Sequence, residues 1–335
     1  MTRRRSAVLA VALSLGLVLS GCGDDTSPDA TDDDSGETES SAFTVTLSPE
    51  GIQMPAAVTG GIVDVKLESE LEGAEVNFSN VVTGTTEDQF KQDIVKVVTG
   101  GPIPDYIQAT TGILGQGTSG NGESSLILPE GDYIAWSIPE IPEGEEGGGE
   151  GEEAPATTVA AGETARGQEG EGEGGPQGPP PEAVLTTTFT ASAGEEGSLP
   201  DTGGNEIVAR DYSFDVNVTA GGEEFTFRNE GPAQLHHIVL FKFGSIEPSV
   251  VEENLPAFLE SGEGSPPPEA FKDVDLENLE AGDGPVLSAG LGATTPVNGS
   301  FESGTTYAAV CFISDRTGGP PHAFGNGMRT VFRVE

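Results

Sequence analysis

From residue 43 onward the chain is dominated by short runs in which apolar and polar side chains alternate. FTVTL, IVDVKLE, EVNFSNVV, SSLIL, YIAWSI and LTTTFTA fall in the first part; YSFDVNV, EEFTFRN, HHIVLFKF, GSFES, YAAVCFI and MRTVFRV fall in the second. They are rich in Val, Ile, Thr and aromatic residues, and Gly, Pro, Asn or Asp bounds most of them. That pattern predicts strands with one face turned to a core. Two charged stretches break it, TTEDQFKQDIVKVV and EPSVVEENLPAFLES, and each predicts a helix or two. The Pro- and acid-rich span 245–285 around the second reads as an excursion with short helices. Five to eight short strands in roughly 130 residues predict an all-β Greek-key sandwich or barrel in each part, and each part is long enough to bury its own core.

The two parts are versions of one pattern. With Gly60-Gly61 set against Gly221-Gly222, TGGIVDVKLESELEGAEVNFSNVV faces AGGEEFTFRNEGPAQLHHIVLFKF with little gapping. ESSLILPEGDYIAWSI then faces GSFESGTTYAAVCFI, with Tyr133 against Tyr307, and the closing strands 183–192 and 328–335 correspond. This duplication gives two tandem β-sandwich domains, 42–193 and 205–335, joined by a linker at 194–204. It also places the Gly/Glu/Pro-rich tract 141–182, disordered by composition, inside the first domain between its last two strands. The linker contains Leu199-Pro200-Asp201-Thr202-Gly203, which resembles a sortase motif. No hydrophobic segment and basic tail follow it, so a Pro/Gly/Asp-rich turn is the better reading.

Residues 1–21 read as an export signal: Arg3, Arg4 and Arg5 precede an apolar run, Ala7 to Leu19, that is short for a membrane span. The run closes on Leu19-Ser20-Gly21-Cys22, which resembles the bacterial lipobox. The resemblance implies lipidation of Cys22 and a chain anchored on the extracytoplasmic face of the cell membrane. Residues 22–41 are acidic and nearly free of apolar side chains, as expected of a disordered tether. Loss of the signal moves the formal charge from −42 to about −45. Such an excess disfavours nucleic acid and favours basic protein partners. With Cys22 acylated, Cys311 has no cysteine to pair with.

Every histidine falls in one C-terminal stretch with that cysteine: His236, His237, Cys311, His322 and Met328. Thiolate and imidazole together suit copper in both oxidation states, and a weak axial thioether tunes its potential. Phe227-Arg228-Asn229-Glu230-Gly231 leads to Leu235-His236-His237-Ile238-Val239; later Tyr307-Ala308-Ala309-Val310-Cys311 runs to Pro321-His322 and Gly327-Met328. On these motifs residues 205–335 resemble the cupredoxin family. The resemblance implies His236, Cys311, His322 and Met328 as copper ligands, with His237 where the family has an Asn and an exposed His322 edge as the electron exit. His236 and His237 point to opposite faces of a strand, so one of them binds; His237 is the alternative if the strand bulges. Ten residues separate Cys311 from His322, more than the family places there. In the ungapped alignment Glu75, Val76 and Ser137 stand opposite His236, His237 and Cys311, so the first domain holds no copper.

The expected function is therefore a lipid-anchored, cupredoxin-like protein that binds copper for electron transfer or copper handling. It is not an enzyme, since three histidines are too few for multi-copper clusters and no Ser/His/Asp arrangement or phosphate loop is present. The alternative is a metal-free binding or structural lipoprotein facing an envelope partner. A zinc site of two His, Cys and a carboxylate such as Asp315 stands third. Asp32-Asp33-Asp34 reads as solvated tether, and Tyr212, Phe214, Phe225 and Phe227 as core.

Overall fold

The computed structural model describes residues 41–71, 73–115, 120–139, 179–195, 197–261, 266–276 and 279–335. The export signal, Cys22, nearly all of the tether and most of the tract 141–182 lie outside them.

The first half contains β1 (Ser41–Ser48), β2 (Gly51–Gln53), β3 (Ala57–Thr59), β4 (Gly61–Ser69), β5 (Glu75–Val81), helix α1 (Glu87–Val98), β6 (Ile107–Leu114), β7 (Gly122–Leu128), β8 (Gly131–Ser137) and β9 (Leu185–Ser192). The second half contains β10 (Glu206–Arg210), β11 (Ser213–Asn217), β12 (Glu224–Asn229), β13 (His236–Lys242), helix α2 (Pro248–Glu260), β14 (Glu280–Leu287), β15 (Gly292–Pro296), β16 (Thr306–Val310), the one-turn helix α3 (His322–Gly325) and β17 (Arg329–Arg333). Among these residues no helix is long and apolar enough to cross a membrane.

The same pairings recur in both halves. β1 lies antiparallel to β2 and parallel to β4, which pairs with β7; β10 lies antiparallel to β11 and parallel to β12, which pairs with β15. In the second layer β5 is flanked by β6 and β8, and β8 by β9; β13 is flanked by β14 and β16, and β16 by β17. Corresponding side chains make corresponding contacts. Tyr133 stacks on Phe189 at 4.9 Å, and Tyr307 on Phe332 at 5.7 Å.

β7 and β15 lie side by side, so the first layer is one eight-stranded sheet in the order β11-β10-β12-β15-β7-β4-β1-β2. The second layer consists of a five-stranded sheet, β3-β9-β8-β5-β6, and a four-stranded sheet, β14-β13-β16-β17. At the seam Leu126 pairs with Ala293, Ser124 Oγ donates to the Thr294 carbonyl (2.6 Å), and the Ser125 N–H donates to Thr294 Oγ1 (2.8 Å). In the other layer the Ser288 N–H donates to the Thr110 carbonyl and the Thr110 N–H to Ser288 Oγ, both at 2.9 Å. One hydrophobic core runs between the layers through both halves, from Phe43, Val65 and Phe78 to Phe227, Leu240 and Tyr307. Each such fully buried side chain contributes on the order of 1.5–3 kcal/mol.

The helices have local causes. Thr86 caps α1 by accepting the Gln89 N–H, Glu87 and Asp88 sit in the first turn and Lys96 in the last, and the helix buries Phe90 and Ile94. α2 starts with Pro248 in its first turn and buries Val251 and Leu255.

Three sequence expectations change. GSFES is not a strand: Phe301 is buried and bonded through its backbone to Gly221 and Gly222, while β15 at Gly292–Pro296 takes the place beside β12. The excursion with short helices ends before residue 285, because β14 begins at Glu280. The register between the halves also slips by one. Asn80 pairs with Tyr133 and Lys242 with Tyr307, so Ala74, not Glu75, corresponds to His236, and Glu75 corresponds to His237. In a period-two structure that slip decides which face a side chain takes. Within the stretch 194–204, Leu199 and Thr202 are buried, and Thr202 Oγ1 donates to the Asn205 carbonyl at 2.6 Å.

Candidate metal centre

His236 opens β13 on its core-facing side. The turn before it is fixed by Asn229, whose Nδ2 donates to the carbonyls of Gln234 (2.9 Å) and Leu287 (2.7 Å) while its Oδ1 accepts from the Gly231 N–H (3.0 Å). Gly231 lies against the imidazole; a Cβ there would stand 3.1 Å from His236 Nε2. Cys311 directly follows β16, His322 opens α3, and Met328 directly precedes β17. All four side chains are fully buried.

The three ring and sulfur donors converge. Cys311 Sγ is 3.9 Å from His236 Nδ1 and 3.6 Å from His322 Nδ1, and one ligand atom from each residue lies within 4.8 Å of the others. A metal bonded to nitrogen at ~2.0–2.1 Å and sulfur at ~2.3 Å separates such a pair by about 3.5–3.8 Å, so the observed spacing suits a shared ion. Met328 is tied in through its backbone: its N–H donates to the His322 carbonyl (2.9 Å) and its carbonyl accepts from the Cys311 N–H (3.2 Å).

The ten residues between Cys311 and His322 do not hold the two apart, because the excursion is pinched at its base. The His322 N–H donates to the Ile313 carbonyl (2.8 Å), the Ala323 N–H to the Cys311 carbonyl (2.9 Å), and Ser314 bridges Pro321. Residues 314–321 therefore leave as a lobe and return almost where they began.

His237 does not join the cluster. The register shift of β13 against β14 falls between His236 and Ile238, yet His237 lies on the opposite face. Its Nε2 stands 3.4 Å from Asp283 Oδ1 and its Nδ1 accepts from the Phe312 N–H at 3.4 Å. Burial opposes its protonation, but Asp283 and Cys311 outweigh that and push its pKa up to about 10.

Burial likewise pushes the Cys311 thiol up, but the imidazoles of His236, His237 and His322 override it and hold the thiol well below its ordinary range. Burial lowers His322, and Cys311 followed by Asp315 more than reverses this.

The His322 edge expected to face solvent is covered. Its ring is fully buried, Tyr212 meets it edge to face at 5.1 Å, and Nε2–H donates to Asp315 Oδ1 at 3.1 Å. Tyr212 Oη donates to the same oxygen at 2.9 Å. Asp315 thus sits at the ring nitrogen turned away from Cys311, which fixes the tautomer with Nδ1 toward the sulfur but separates this carboxylate from the cluster. That removes Asp315 as a fourth ligand beside Cys311. Tyr212 is part-buried beside the candidate site, whereas Phe214, Phe225 and Phe227 are core as expected. Alternation alone marked Tyr212 as apolar; nothing local in sequence linked it to His322.

One thiolate and two imidazoles form a donor set suited to a soft ion such as copper, or to zinc, and Met328 is held on the same loop through its backbone. In the first half Ala74 and Ser137 occupy the positions of His236 and Cys311. Neither offers a comparable donor.

No family model matches the chain, and no curated protein does. Among solved structures, a dithionite-reduced auracyanin from the photosynthetic bacterium Roseiflexus castenholzii is 23% identical, covering 39% of this chain and 94% of its own, with a TM-score of 0.24. A bacterial laccase-like multi-copper oxidase from Ochrobactrum sp. is 10% identical, covering 88% of this chain and 66% of its own, with a TM-score of 0.20.

Proposed function

We propose that this protein is a duplicated, cupredoxin-like copper protein of the cell envelope, lipid-anchored at Cys22, that transfers electrons through its second half. The observation that carries the reading is the convergence of His236 Nδ1, Cys311 Sγ and His322 Nδ1 in a fully buried cluster. Met328, at the end of the same loop, would supply a further, weaker thioether donor. Bound copper would supply a one-electron Cu(I)/Cu(II) couple there. The protein's part is to hold its ligands rigidly. β13 and β16 fix His236 and Cys311, the pinched lobe fixes His322, and Asp315 holds the imidazole tautomer. A closed site suits electron transfer better than release of the ion to a recipient, since no ligand side chain is exposed. The acidic chain suits a basic redox partner.

Titration of the purified full chain with Cu(II) tests this. One equivalent should bind with an intense thiolate-to-copper absorption that is lost in Cys311→Ser. No stoichiometric copper binding by the unaltered chain would overturn the reading.

A further inference from the structure

The lobe between Cys311 and His322 rests on the half of the molecule that carries no ligands. The Ile103 N–H donates to the Arg316 carbonyl at 2.8 Å, the Arg316 guanidinium to the Ile107 carbonyl at 2.9 Å, and the Gly319 N–H to the Gly100 carbonyl at 3.1 Å. All three partners lie between the end of α1 and the start of β6. The approach is close: at Gly318, where φ is +81°, a Cβ would stand 2.9 Å from the Gly100 carbonyl oxygen and 3.0 Å from the Pro102 nitrogen. On its other flank the Arg316 N–H donates to Gln234 Oε1 at 3.0 Å, two residues before His236.

Apolar contacts follow the same route. Leu235, next to His236, is buried in the cluster beneath α1 with Phe90, Ile94 and Ile103, and Ile313, two residues past Cys311, packs against it. Residues within two positions of two candidate ligands thus pack against the first half.

We propose that the first half is the seat that positions the metal loop, with Arg316 as the positioning residue. A lobe containing Gly318-Gly319-Pro320-Pro321 has many conformations open to it, and only those that return His322 to Cys311 can bind. Apparent affinity falls with the fraction of molecules in the competent conformation. Docking on residues 100–107 raises that fraction, and it couples the redox potential of the site to this contact between the lobe and the first half. The length of the loop and the presence of a ligand-free half then have one explanation. The coupling to copper rests on the function proposed above; the seating of His322 does not.

The full chain carrying Arg316→Ala is compared with Arg316→Lys, which retains a donor, and with Thr294→Val, which removes a seam hydrogen bond away from the lobe. In the metal-free protein, Arg316→Ala should speed amide exchange at residues 312–323 by about tenfold or more, while Thr294→Val leaves them unchanged. In the copper-loaded protein, Arg316→Ala should weaken binding by a similar factor and shift both the thiolate-to-copper absorption and the midpoint potential, with Arg316→Lys near the unaltered chain. Unchanged exchange in Arg316→Ala would overturn the seating. Faster exchange with unaltered affinity and potential would overturn the coupling. If the unaltered chain binds no copper, the proposed function and the coupling fail, and the exchange experiment still decides the seating.

Discussion

The rings of Tyr212 and His322 meet edge to face with centroids 5.1 Å apart, and both residues reach Asp315 Oδ1. The tyrosine is therefore a cover as well as a hydrogen-bond donor, and the two roles separate on substitution. Tyr212→Phe removes only the hydroxyl and should cost about 1 kcal/mol. Tyr212→Ala also uncovers the imidazole and should cost about 2–3 kcal/mol, less than a fully buried aromatic loses. Urea unfolding checks both; equal losses would contradict the covering role.

The two adjacent histidines should differ sharply. His236→Ala removes a converging donor, so stoichiometric Cu(II) binding should disappear. His237→Gln acts only from beside Cys311 and should weaken binding within the ~10- to 100-fold range of outer partners. Parallel copper titrations decide, and the reverse order would assign the site to His237.

The halves should unfold together. They share an eight-stranded sheet and one continuous core, so calorimetry of the full chain should give a single cooperative transition. Two resolved transitions would mean that the seam contributes little.

Glu75 gives a pH dependence with a defined sign. Burial raises its carboxyl above the usual range, and the charge of Asp283 adds to this, with Asn77 and His237 opposing. A raised folded-state value means that ionisation costs stability as pH climbs past the unfolded value of about 4.3. Glu75→Gln removes that cost. The variant should be more stable than the unaltered chain at pH 7, and the gain should fade toward pH 4. Thermal melts across this range check it; a gain independent of pH would refute the electrostatic cause.

Strands such as β1 and β4 were legible because one face is buried and the other is not, which writes a period of two into the sequence. β15 was not: its residues Gly292–Thr295 are buried on both faces, so GATTP shows no alternation. β14, EAGDGPVL, is similarly masked by Gly and Pro. The correspondence between halves was legible from Tyr133 and Tyr307, yet an ungapped alignment missed by one residue, enough to set Glu75 rather than Ala74 against His236. The ligand candidates stood out because His, Cys and Met are scarce here. How the lobe closes was hidden, since one of its partners, Ile107, lies 209 residues from Arg316. Spacing along the chain says nothing about a support that arrives from so far away.

Placing β7 beside β15 has a last consequence. In a half standing alone, either strand would end its sheet with an unpaired row of N–H and C=O groups, a template for pairing with another chain. Each half hides the vulnerable border of the other, so separating them would invite self-association, and the same adhesive chemistry is spent within the molecule instead.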